Sequence, residues 1–157
     1  MANHFKSDHQ GFTILELIIT MGIFAIIASL TTINLTNSQR RVSLDSLTST
    51  LISDLRQQQI KAMTGDTQGR SSNSAYGIHF DSNQYVLFYG DSYNSSDSDN
   101  FVVPLDTNFS FTNLGNVTFS KISGESAGLT SIIIQDNSAS NQKDIRLNNY
   151  GVVTEVL

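Results

Sequence analysis

Hydrophobic and polar positions follow three successive rhythms along this chain. Met1 to Gly11 is polar, with Lys6 its only basic side chain. Phe12 to Leu35 is then almost continuously apolar. Glu16 is its only charge, and its other interruptions are Thr, Ser, Gly and Asn. At about 1.5 Å per residue, a helix over this run reaches across a hydrocarbon core of about 30 Å. Beyond Leu35 the hydropathy drops while a helical period persists. Leu44, Leu47, Leu51 and Leu55 recur at three- and four-residue spacing with Ile52 beside them, and Arg40, Arg41, Asp45, Asp54, Arg56 and Lys61 occupy the other faces. No proline interrupts Phe12 to Met63, so the pattern predicts one helix of roughly 50 residues, about 75 Å long, ended by Gly65 and the polar run Asp66 to Ser74.

From there the period changes to two. YGIHF (Tyr76–Phe80) and QYVLFY (Gln84–Tyr89), separated by Asp81-Ser82-Asn83, predict a β-hairpin. FVVPL, VTFSKI, LTSIII, KDIRL and YGVVTEV follow, spaced by Ser, Asn, Gly and Asp. Pro104 assigns its strand to an edge or a terminus. Asn148-Asn149 with Gly151 predicts the turn of a C-terminal hairpin. The expected fold class is α+β: one long N-terminal helix, its first half of membrane-spanning character, packed through its leucine stripe on an antiparallel β-sheet head. The expected segments are a leader at 1–11, an apolar half-helix at 12–35, an amphipathic half-helix at 36–64 and a β-rich head at 65–157.

Composition narrows the function classes. The chain has 157 residues and a net charge of −5, so no broad attraction to nucleic acid or anionic lipid is expected. It has no cysteine, which removes disulfides, thiolate metal sites and thiol nucleophiles together. His4 and His9 fall in the leader, and His79 stands in a strand with no acid or nucleophile spaced as a triad; no phosphate-binding glycine loop or HExxH occurs. The chain reads as a non-enzyme without a cofactor. The segment Asp91 to Asn100 offers oxygen ligands for calcium, with Asp91, Asp97 and Asp99 as weak candidates. Its spacing fails the EF-hand pattern, however, because Tyr93 takes the third position and no closing Glu follows. A flexible solvated loop is the expected alternative. Lys121, Lys143 and Arg146 are scattered among acids, which argues against a nucleic-acid partner.

Three readings compete for the apolar run: a secretory signal peptide, a plain single-pass anchor, and a cleaved leader before a retained helix. The first lacks a strongly basic start, and Ala25-Ile26-Ile27-Ala28 is a poor cleavage site. The second leaves Glu16 unexplained, since an ionised acid deep in lipid costs on the order of 2.5–3.5 kcal/mol. Gly11-Phe12-Thr13-Ile14-Leu15-Glu16-Leu17 resembles the prepilin signature of type IV pilins and type II secretion pseudopilins: a short polar leader ending in Gly, then Phe, a Glu five residues into the mature chain, and an unbroken apolar run. The later pattern, SDLRQQQIKAM then YGIHFD and a C-terminal hairpin, is similar to H-type minor pseudopilins and FimT-like minor pilins.

The resemblance implies cleavage between Gly11 and Phe12 by a membrane prepilin peptidase, and methylation of the new Phe12 amine. It also implies that Glu16 pairs with the amine of a neighbouring subunit. Expected partners are that peptidase, other pilin or pseudopilin subunits, an inner-membrane assembly platform, and membrane lipid before assembly. The implied location is the inner membrane, single-pass, with the head on the periplasmic or extracellular side, and then a filament. The implied function is a structural subunit, minor in preference to major. A membrane-tethered surface binding module is the alternative from another class, and DNA binding in uptake a lesser one. Two features depart from the family pattern. The region around Ile33 has no proline, and Arg40 and Arg41 lie beyond the membrane run, against the positive-inside rule.

Overall fold

The computed structural model describes residues 12–138 and 141–157, except that the side chains of residues 30–41 lie outside the description. Helix α1 runs Ile14–Thr64, and the chain divides into two units, Met1–Arg40 and Arg41–Leu157.

From Leu17 to Ile27 the helix is apolar on every side. Each large apolar side chain described from Phe12 to Ile27 is more than half exposed, with Phe12 and Ile14 at 80%. Thr20 Oγ1 donates to Leu17 O at 3.0 Å and Ser29 Oγ to Ile26 O at 2.8 Å. Both hydroxyls are thus bonded within their own helix, the condition for a polar side chain to sit in an apolar medium.

In the second unit α1 is amphipathic. Leu44, Thr48, Leu51, Leu55, Gln58 and Ala62 are buried at alternating spacings of four and three, which keeps one stripe in register with the core. The leucines are as the sequence predicts; Thr48, Gln58 and Ala62 extend the stripe through two polar residues and one small one. Thr48 fits because its hydroxyl donates to Leu44 O at 2.8 Å. The helix ends in a left-handed turn at Gly65, φ 68°. Gly65 N–H donates to Ala62 O and Asp66 N–H to Lys61 O, the paired bonds of a Schellman cap.

Among the described residues nine strands follow: β1 (Tyr76–Asp81), β2 (Gln84–Tyr89), β3 (Phe101–Pro104), β4 (Phe109–Phe111), β5 (Gly115–Phe119), β6 (Ser126–Gly128), β7 (Ser131–Asp136), β8 (Gln142–Leu147) and β9 (Val153–Val156). They form two antiparallel sheets rather than one, ordered β3-β2-β1-β5-β6 and β4-β7-β8-β9. The hairpin turn is tighter than the sequence suggests: Asp81 pairs with Gln84, leaving Ser82 and Asn83 to turn. Pro104 closes edge strand β3, where its missing N–H costs no ladder bond. Asn148 Oδ1 accepts from the N–H groups of Tyr150 and Val152, both at 3.0 Å, which builds the C-terminal turn around Gly151. Tyr76, Ile78 and Phe80 of β1, Tyr85 of β2, Phe109 and Phe111 of β4, Val117 and Phe119 of β5, and Ile132, Ile134, Ile145 and Leu147 of β7 and β8 join the helix stripe in one core.

The other face of the larger sheet is covered as well. Val86 and Phe88 alternate with the core-facing Tyr85 and are buried as well, Phe88 against the loop that follows β2. Tyr93 of that loop stacks on His79 at 4.0 Å and lies 5.7 Å from Phe88. Gly77 sits beneath, where a Cβ would lie 2.3 Å from the Phe88 ring.

Candidate functional site

The start of α1 is built by Thr13. Its carbonyl accepts the first helical bond from Leu17 N–H at 3.1 Å, and its hydroxyl accepts from Glu16 N–H at 3.3 Å. Thr13 is therefore the N-cap and Glu16 occupies the third helical position, the spacing of a capping box. There the Glu16 carboxylate faces the positive end of the helix dipole. Phe12 precedes the cap and is exposed, as is Glu16. Gly11, the other predicted processing residue, and the whole leader lie outside the described residues. Phe12 and Glu16 are four positions apart, about one helical turn.

Among the described residues no helix is long and apolar enough to cross a membrane. The apolar run expected over 12–35 passes after Ser29 into residues whose side chains lie outside the description.

In the head, the calcium candidates are placed differently from one another. Arg70 Nη2 donates to Asp99 Oδ2 at 2.5 Å and to Asp97 Oδ1 at 3.4 Å, while its guanidinium lies 4.1 Å from the Tyr89 ring centre. Two candidate ligands thus face a cation of the protein's own, and Asp91 does not join them. Among the described residues no three His, Asp or Glu side chains converge as metal ligands. The expected flexible loop is bonded to itself. Asn94 Oδ1 accepts from Ser96 N–H, Asp97 Oδ1 from Asp99 N–H, and Asn94 O from Asn100 Nδ2.

His79 does have an acid beside it. Its Nε2 lies 3.1 Å from Asp81 Oδ1 and its Nδ1 2.5 Å from Asn116 Oδ1. Asp81, two positions on and so on the same strand face, was visible in the sequence; Asn116, from β5, was not. With Tyr93 stacked on its ring, His79 ties the loop to the sheet. Of the three scattered cations, Lys143 lies 3.6 Å from Asp45, and Arg146 bonds Asp144 and Glu155.

A cleft of about 430 Å³ opens between α1 and the β3 edge, floored by Tyr76, Leu87 and Tyr89. Burial first, and then the negative charge of Asp66, raises the Tyr76 hydroxyl to about 12. It donates to Asp66 O at 2.8 Å.

The family model for the prokaryotic N-terminal methylation motif matches residues 6–32. The chain therefore carries the prepilin-type signature, and this supports the type IV pilin and pseudopilin family as a class; the match lies in the N-terminal segment and does not reach the head. No curated protein and no solved structure matches the chain.

Proposed function

We propose that this chain is a structural, non-enzymatic subunit of a type IV pilus or a type II secretion pseudopilus, a minor subunit in preference to a major one. In this reading a prepilin peptidase cuts between Gly11 and Phe12, and the new amine on Phe12 is methylated. The helix is held in the inner membrane as a single pass before an assembly platform moves it into a filament.

One observation carries the reading. The apolar stretch that opens α1 has a single acid, Glu16, placed in the first turn of the helix, one turn from the proposed cut. A surface exposed all round demands an apolar surrounding, either lipid or other helices. The exchange of one for the other involves little net hydrophobic gain, so packing and polar contacts decide it. Glu16 is the polar group available for such a contact, and a neighbouring Phe12 ammonium is the partner cleavage would create.

The test is the intact mass and N-terminal sequence of the protein from membranes containing a prepilin peptidase. A chain beginning at Phe12 and heavier by one methyl group is expected. Glu16→Ala should be cleaved normally and fail to enter filaments. A chain beginning at Met1, or cut beyond Leu30, overturns the proposal. Normal assembly of Glu16→Ala would overturn the role of the acid and favour a tethered module that does not polymerise.

A further inference from the structure

The head carries an acceptor for a covalent sugar. The tripeptide Asn-x-Ser/Thr, which receives N-linked glycans on surface loops of exported chains, begins at Asn34, Asn94, Asn108 and Asn116. The four are not equivalent. Asn34 stands in the apolar run of α1, with its side chain outside the described residues. Asn116 lies within β5, between β1 and β6, and its amide oxygen is 2.5 Å from His79 Nδ1. Asn94 and Asn108 are both exposed. What separates them is the residue two positions earlier, Ser92 before Asn94 and Asp106 before Asn108.

Asp106 contacts the nitrogen that would carry the sugar. Its Oδ1 accepts from Asn108 Nδ2 at 2.9 Å and from the Asn108 N–H at 3.1 Å. A carboxylate here only accepts, so it fixes which end of the amide faces it. An amide nitrogen is a weak nucleophile because its lone pair is shared with the carbonyl. A carboxylate on one N–H draws that proton away and returns electron density to the nitrogen, as an adjacent base does for other weak nucleophiles. The amide has two N–H donors, and Asp106 engages one. A bond to sugar can replace the other and leave the contact standing.

The third member of the tripeptide is engaged in the folded head, where the Ser110 hydroxyl donates to Asn137 Oδ1 at 2.7 Å. Ser110 belongs to β4, three residues long and at the edge of its sheet. Such a strand is among the last elements to dock and the first to open, so a transferase reaches the tripeptide before β4 is packed or when it frays.

We propose that Asn108 is an N-glycosylation site, taking an oligosaccharide from a polyprenyl-diphosphate carrier through a membrane oligosaccharyltransferase. Asn108 Nδ2 attacks C1 of the first sugar. The N–C1 bond forms, the C1–O bond to the diphosphate breaks, and the diphosphate leaves with the bonding electrons and takes the proton that the nitrogen gives up. The proposal rests on the prepilin reading, in which the head is exported.

The test is intact mass and glycopeptide sequencing of the full chain made in Gram-negative cells that supply such a transferase and its lipid-linked oligosaccharide. Protease digestion of spheroplasts reports where the head lies. One glycan on the peptide containing Asn108 is expected. Asn108→Gln and Ser110→Ala should lose it, and Ser110→Thr should keep it. Asp106→Asn, which retains an oxygen for the turn but not the charge, should remove most of it with the thermal melt unchanged. An exported head without glycan overturns this proposal alone, whereas a head left in the cytoplasm overturns it together with the prepilin reading. A glycan on Asn94 in place of Asn108, or undiminished modification of Asp106→Asn, also overturns it.

Discussion

Tyr85→Phe removes one oxygen from the centre of the head and leaves the ring that holds it. The ring is fully buried, with Phe80 at 6.3 Å and Phe111 at 6.2 Å between centres, so the substitution opens no cavity. What is lost is the bond from the hydroxyl to Asp54 Oδ2, 2.6 Å long, which ties β2 to α1. Hydrogen bonds to charged groups contribute about 1.5–3 kcal/mol. Asp54 is half-buried and regains water when the hydroxyl is gone, so the cost near pH 8 belongs at the lower end, about 1.5 kcal/mol.

The same contact makes the cost depend on pH. Burial first, then the bond to Asp54 and its charge, push the Tyr85 hydroxyl well above its ordinary value. An unfolded tyrosine ionises near pH 10, so above that the unfolded chain sheds this proton while the folded chain keeps it. Fewer protons on the unfolded state mean that stability falls as pH rises. At about 1.4 kcal/mol per unit, the wild type loses roughly 1.4 kcal/mol at this site by pH 11, and the phenylalanine variant loses nothing there. The difference between the two proteins should therefore shrink from about 1.5 kcal/mol at pH 8 to near zero at pH 11. Urea unfolding followed by far-UV circular dichroism measures it, and contributions from the other tyrosines and lysines cancel in the difference. A gap that stays constant or widens over this range refutes the assignment of the Tyr85–Asp54 bond.

Two further substitutions test how the turns are fixed. Gly128→Ala forces a side chain onto a backbone at φ 100°, with its Cβ 2.0 Å from Asn116 O. It should lower stability by about 2–3 kcal/mol or more in the same urea assay, since both the conformation and the β5–β6 pairing are lost. Gln59→Ala removes the amide that donates to Gly124 O at 2.9 Å and Tyr150 O at 2.6 Å. A loss of about 2 kcal/mol is expected, one for each bond, with faster amide exchange at both turns; unchanged exchange there would show that other contacts hold them.

The elements with strong local rhythm were legible in the sequence. The leucine stripe, the Gly65 stop, the Tyr76–Tyr89 hairpin, the Pro104 edge and the Asn148–Gly151 turn all rest on contacts within a few residues. Strands β4 and β6 were not legible because each is three residues long, too short for a period to register, and β6 is Ser-Ala-Gly. Without β4 as an edge partner for β7, the later strands read as a continuation of one sheet. The segment VTFSKI has the pattern of a strand to its end, but the chain leaves the ladder at Ser120, and Ile122 takes a left-handed turn at φ 72°. Its N–H donates to Ala62 O of the helix, a tertiary bond that local propensity does not register. At the helix start, Phe12 and Glu16 stood out by motif. In the head, the Arg70 clamp on Asp97 and Asp99 joins residues nearly thirty positions apart, and the unpartnered Gln58 oxygen exists only once the helix is packed.

Thr13 and Glu16 connect the local and the functional readings of the signature. A helix beginning in an apolar surrounding has four N–H groups without partners and a partial positive charge at its end. Thr13 answers one of those groups, and Glu16 in the first turn opposes the charge. On the proposed reading, cleavage adds a full ammonium at Phe12, directly before the cap and next to the same positive end. That charge is unfavourable where it stands, and in an apolar surrounding a carboxylate one turn away is the nearest group able to offset it. Each subunit would then present both members of an ion pair at the tip of an otherwise apolar helix. Packing such helices side by side leaves the pairs unmet unless neighbouring tips are in register. On that proposal the acid that is costly in lipid would become a condition on how subunits align, and the spacing of four residues between Phe12 and Glu16 would set the axial step at which the condition is met, about one helical turn.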